Sequence, residues 1–179
     1  MSAAVVSDLS TVPGCPEVPD ERHPNSLAWM ADRERIPAVV WELAASCGVE
    51  PASSYVETYW LPLLGPSATW ALRRIAGWLA TAPPSGLWIP IEPLARSLGL
   101  GSTAGRNCPM RRTLARLVDF RLAQIDENRD VLAVRTLIPP LTARQVARLP
   151  EHLAPHHDTD LRRDVRRSPE HLDPEGSPR

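Results

Sequence analysis

The sequence predicts a mainly α-helical fold with one small β-hairpin, and three observations predict it. Amphipathic segments with an apolar residue every three or four positions fill the intervals between prolines. Most of those segments close on a glycine or a Pro-Pro pair, which are helix-stop signals. One stretch, 122–137, instead alternates around the polar turn ENRD, the pattern of two strands joined tightly.

Taken in order, residues 1–24 hold four prolines, few large apolar side chains and no periodicity, and are expected to be disordered. Residues 25–65 form a helical extension in this reading. NSLAWMADRERI gives a short helix, and PAVVWELAASCG a second one with Pro37 in its first turn and Gly48 past its end. Trp29, Val40, Trp41 and Leu43 are its expected buried residues. PASSYVETYWLPLLG adds a helical piece ended by Pro62 and Gly65. A compact domain then spans 66–138. It opens with a helix capped by Ser67, whose Ala68, Ala71, Leu72, Ile75, Trp78 and Leu79 share a face. LWIPI follows as a short strand. PIEPLARSLGL is a second helix that stops at a left-handed Gly99. The third helix has Asn107 or Cys108 as cap and Pro109 as first residue, with Met110, Leu114, Leu117 and Val118 on one side, and ends near Arg121. Residues 139–157 close the fold with a helix interrupted by Pro150, and 158–179 are expected to be a disordered tail.

All twenty basic residues are arginine, so chemistry that needs a lysine is excluded. The net charge of −1 conceals segregation along the chain. Residues 1–65 carry three Arg against nine acids, −6; residues 66–150 carry twelve against five, +7; the remainder carries five against seven, −2. A basic middle between acidic flanks orients a protein on a polyanion. Arginine also offers a planar fork of donors suited to phosphate and to the major-groove edge of guanine.

The predicted order across 66–138, helix, short strand, helix, helix, strand, turn, strand, resembles the winged helix-turn-helix superfamily. LARSLGL strengthens the likeness, with Ala95 four residues before Gly99 as in helix-turn-helix motifs. YWLPLLGPSATWALRRIA is similar to the lead-in of the N-terminal winged helix of DnaD-type replication proteins. One feature departs from the pattern: LGSTAGRN separates Gly99 from Pro109, where the superfamily starts its recognition helix three or four residues past the glycine. Either Ser102 caps an extra turn, or a glycine-rich loop brings backbone N–H groups near a phosphate.

What the resemblance implies is double-stranded DNA as partner, in transcriptional control or as an accessory to replication or mobile-element maintenance. The third helix would present Arg111, Arg112 and Arg116 to the major groove, and Arg106, Arg129 and Arg135 would contact backbone or minor groove. Winged helices also serve as protein-interaction modules without DNA contact, which is the alternative. The N-terminal helices are expected to pack on the domain or to mediate a homodimer.

Catalytic constellations are missing: there is no G-x-S-x-G, no H-E-x-x-H and no paired-cysteine motif, and no catalytic, cofactor or metal residue is assigned. The cysteines, Cys15, Cys47 and Cys108, are odd in number and widely spaced, as reduced thiols are. No run is long and apolar enough for a membrane span, and the N-terminus lacks the basic start and apolar core of a secretory signal, so a cytoplasmic location is expected. The six tryptophans lie between 29 and 88 and are expected to join the extension to the domain as core.

Overall fold

A computed structural model describes residues 26–41, 48–101 and 108–165. Expectations that fall on 1–25, 42–47, 102–107 and 166–179, including Leu43, Cys15, Cys47, Ser102 and Arg106, lie outside the described residues. The fold is mixed α/β, with a four-stranded sheet where a mainly helical fold with one hairpin and one further short strand was expected.

The difference arises in the N-terminal extension. α1 is short (Ser26–Met30), and the segment expected to be its successor helix is instead β1 (Arg35–Val40). Ile36, Val39 and Val40 are β-branched, and Ile36, Ala38 and Val39 are all buried, so the segment has the apolar, two-sided character of an inner strand. Pro37 reads equally well as a helix start, which is why the local signal misleads. In the sheet it pairs only with Trp88, because contact with the neighbour on the other side begins at Ala38. Its missing N–H therefore falls where the strand still has one flank free.

A π-helical turn (Val56–Trp60) runs directly into α2 (Leu61–Leu64). The helix thus passes through Pro62 and does not end there. The wider π turn, with Leu61 N–H bonded to the Val56 carbonyl, removes the clash that a proline ring makes with the carbonyl four residues back. Gly65, at φ 80°, breaks the chain direction and serves as N-cap of α3 (Pro66–Leu79), so Ser67 sits inside the first turn and is not the cap. β2 (Leu87–Pro90), α4 (Ile91–Ser97) and α5 (Pro109–Asp119) follow in the expected order, with Gly99 left-handed at φ 69° and Cys108 as the cap of α5. β3 (Ala123–Asp126) and β4 (Val131–Val134) are the expected hairpin.

Strand order is β2-β1-β4-β3: β1 is antiparallel to β2 and parallel to β4, and β3 is antiparallel to β4. The extension therefore inserts a strand between β2 and the hairpin, and the two regions share one sheet and one core. Met30 and Ile36 of the extension are fully buried with Leu72 and Ile75 of α3, Leu94 of α4, and Met110 and Leu114 of α5. The predicted α5 face is buried as expected.

The C-terminal region corrects a second expectation. The closing helix is reduced to α6 (Ala143–Val146), held by a capping box between Thr142 and Gln145. A 3-10 turn (Ala154–His156) then leads into α7 (His157–Val165), helical where a disordered tail was predicted from 158. Leu161, His157 and Asp164 of α7 are buried against the body.

Gly77 lies inside α3 with no atom within 4 Å of where a Cβ would stand. Glycine in a helix interior costs about 1 kcal/mol against alanine. Gly77→Ala is accordingly expected to raise the unfolding free energy by roughly 0.5–1 kcal/mol, read as a higher urea midpoint at unchanged slope; a lower midpoint would contradict the open environment.

Candidate interaction surfaces

The six arginines selected from sequence meet different fates. Arg106 lies outside the described residues. Arg111, only 7% exposed, turns from α5 into the protein: its Nε–H donates to the Met30 carbonyl (2.8 Å) and its Nη2 to the Arg33 carbonyl (2.9 Å). They lie where α1 ends and the chain turns toward β1; the Met30 carbonyl also accepts from the Arg33 N–H (3.3 Å), and the guanidinium adds a charged donor to each carbonyl, capping the turn from a distant helix. Arg116 does the same for α2, with Nε donating to the Leu64 carbonyl (2.6 Å) and Nη2 to that of Leu63 (2.7 Å). Arg135, 8% exposed, donates to the Arg121 carbonyl (2.8 Å) and stacks 4.6 Å from the Trp41 ring centroid. Burial pulls its pKa down to about 10. The Arg121 carbonyl needs that donor because Arg121 takes a left-handed turn (φ 59°) after α5. Arg112 and Arg129 are exposed, as is Arg116 apart from its two bonded nitrogens.

The structure thus brings Arg111 and Arg116 onto α5 as expected but directs both guanidinium groups to backbone of residues 30–64. What α5 leaves to solvent is a narrow stripe, Arg112, Arg116 and Asp119, one turn apart. The stripe borders a groove of about 510 Å³ whose other wall is Leu27 of α1 and the α2–α3 corner at Leu64, Gly65 and Pro66.

The hairpin tip is also engaged. Asp130 accepts from Arg33 at both oxygens (2.6 and 2.9 Å) and from the Trp29 indole (2.9 Å), while Arg33 lies over the Trp29 ring at 4.2 Å. The Arg33 hydrogen bonds, then that of Trp29, hold the Asp130 carboxyl below its ordinary value of 3.8. A carboxylate with a depressed pKa keeps its partners at neutral pH and loses them only as pH falls through that lowered value. The Trp29 indole N–H resonance is therefore expected to titrate with a midpoint under 3.8, and the step should vanish in Asp130→Asn; an unmoved resonance in the parent would contradict the clamp.

A buried polar cluster fixes α7. Tyr55 Oη accepts from the Leu141 N–H (3.0 Å) and faces His157 Nε2 (2.7 Å), and His157 Nδ1 faces Asp158 (2.9 Å). Asp164 accepts from the Tyr55 N–H (2.6 Å) and from Ser54, and the Tyr59 hydroxyl donates to Asp160 (2.7 Å). Burial pushes both phenols upward; at Tyr59 the Asp160 carboxylate adds to it. The Asp158-His157-Tyr55 order is that of a proton relay; its hydrogen bonds, with those of Asp164 and Asp160, join α7 to residues 54–59 and to Leu141 and so dock the helix. Among the described residues no group of three or more His, Cys, Asp or Glu side chains is placed to hold a metal ion.

The tryptophans correct the expectation of a shared aromatic core. Trp60 is buried, and Trp29 and Trp41 are half-buried. Trp70, Trp78 and Trp88 are 55%, 37% and 56% exposed. Val40, expected to be buried, is exposed as well. Trp70 and Trp88 each carry an arginine over the ring, Arg73 at 5.3 Å and Arg35 at 5.7 Å. A second groove, about 540 Å³, lies between the end of β1 (Val39, Val40, Trp41) and the Pro83-Pro84 turn.

No family model matches this chain, and no curated protein or solved structure shows a significant match to it. No helix among the described residues is long and apolar enough to cross a membrane.

Proposed function

We propose that the chain is a protein-interaction module built on a winged-helix body. The order α3, β2, α4, α5, β3, β4 supports the body, with the extension's β1 as an added strand within its sheet. One observation carries the functional reading: cations that a DNA interface needs are donors to the chain's own backbone, while indoles that a core would bury are at the surface. A recognition helix must project to enter a major groove, whereas the exposed stripe of α5 is narrow and flanked by α1 and the α2–α3 corner. Exposed tryptophan beside arginine is instead the composition of protein-binding hot spots.

Direct DNA binding is the second reading, favoured by Arg112 on α5 and Arg129 at the hairpin tip, both exposed. Titration of fluorescent mixed-sequence duplex with the full chain across a salt series separates the two. The interaction reading expects no steep fall of log K with log salt, because few phosphates are neutralised. Salt-steep binding that weakens in Arg112→Ala and Arg129→Ala would replace it with the DNA reading.

A further inference from the structure

Resting on the interaction reading, we propose that the solvent face of α3 is a docking strip for an amphipathic helix of a partner protein that carries a carboxylate between two apolar residues. Trp70, Arg74 and Trp78 stand at i, i+4 and i+8 of one helix, a strip about 12 Å long at 1.5 Å per residue. The opposite face, Ala68, Ala71, Leu72, Ile75 and Leu79, is buried in the core, so the strip cannot turn inward. α3 contains no Asp or Glu.

Trp70 is exposed yet held. Arg73 lies over its ring and is itself fixed by the Pro51 carbonyl (2.7 Å) and by Glu57 (3.3 Å). An indole ordered before binding loses little freedom when a partner covers it. Arg74 uses Nη1 on the Ser97 carbonyl (3.3 Å), and its Nε–H and Nη2 donors meet no acceptor among the described residues. Gly77 shares this face, and the empty space at its Cα leaves a notch beside the two rings where a partner's apolar side chain can approach the helix backbone.

Charge and size identify the occupant. Cationic donors set between two indoles match an acid flanked by apolar side chains, the pattern that one amphipathic helix presents at i, i+4 and i+8. A second copy of this chain is disfavoured, because a two-fold pairing of the strips would bring Arg74 toward Arg74.

The test is selection of a displayed helical-peptide library on the full chain, followed by affinity measurements on the enriched peptides by fluorescence polarisation. The expected set carries Asp or Glu between two apolar residues at helical spacing. Affinity should fall at least about tenfold in Trp70→Ala and in Gly77→Leu, and Arg74→Glu should reverse the preference toward basic peptides. Trp70 and Gly77 are exposed and Arg74 half-buried, and a parent-like circular dichroism spectrum with a urea midpoint no lower than the parent's shows that each variant folds. Enriched peptides bound equally by these variants would overturn the strip and leave the interaction reading standing. No enrichment together with salt-steep duplex binding would overturn both. Self-association lost in Trp70→Ala would make the second copy the occupant and overturn the partner named here.

Discussion

Arg111→Ala is expected to lower the unfolding free energy by about 3 kcal/mol. The guanidinium is buried and donates to the carbonyls of Met30 and Arg33. Hydrogen bonds to a charged group contribute about 1.5–3 kcal/mol each; truncation removes both, leaves the Met30 carbonyl only the longer bond from the Arg33 N–H (3.3 Å) and opens space beneath α1. Urea denaturation reads the loss directly. The same variant tests the role of α5: an arginine that served a DNA interface alone would leave stability within about 0.5 kcal/mol of the parent, and that result would contradict its place as a cap.

Gly86→Ala is the other large loss expected, again about 3 kcal/mol. Gly86 has φ +82°, where an L side chain costs roughly 1–2 kcal/mol. A Cβ there would also overlap the Ala38 carbonyl and press on Val39 Cγ1 (2.8 Å). Backbone cannot move aside as a flexible side chain can, and the carbonyl belongs to β1, the strand between β2 and the hairpin. Hydrogen exchange should show the β1–β2 ladder opening first, because that pairing starts where the turn delivers β2. Parent-like stability and ladder protection in Gly86→Ala would mean that the turn does not approach β1 so closely.

Elements that carry their own punctuation were legible in the sequence. α5 has Pro109 at its start and four apolar residues at helical spacing; its start and the burial of those four follow from them, while the helix ends at Asp119, two residues before the expected Arg121, and also buries Arg111, Thr113 and Ala115. α4 ends at a left-handed Gly99 for the same local reason. What was not legible depends on partners far along the chain. β1 was read as a helix because Pro37 fits either state, and only pairing with β2 and β4, more than forty residues away, selects the strand. α7 has few apolar residues; it is held by hydrogen bonds to Ser54, Tyr55 and Tyr59, roughly a hundred residues earlier.

The site divides in the same way. Periodicity puts Arg111 at the margin of the apolar face of α5 and cannot say which way its guanidinium turns; the Met30 and Arg33 carbonyls, at the end of α1 and in the turn after it, decide that. The α3 strip did have a local signal. Trp70 and Gly77 lie opposite Leu72 and Leu79 on the helical wheel, so Trp70 faces solvent as soon as those leucines are core. The expectation that large aromatics are core obscured it.

Guanidinium groups serve here as internal caps, and Arg side-chain Nε–H resonances report on this directly. In the full chain at neutral pH, the Nε–H signals of Arg111, Arg116 and Arg135 are expected to be resolved and slow to exchange with water, each bonded to a backbone carbonyl, while that of Arg129 exchanges fast. Rapid exchange at Arg111 and Arg116, equal to that at Arg129, would place those cations in solvent and return α5 to the role of a nucleic-acid reader.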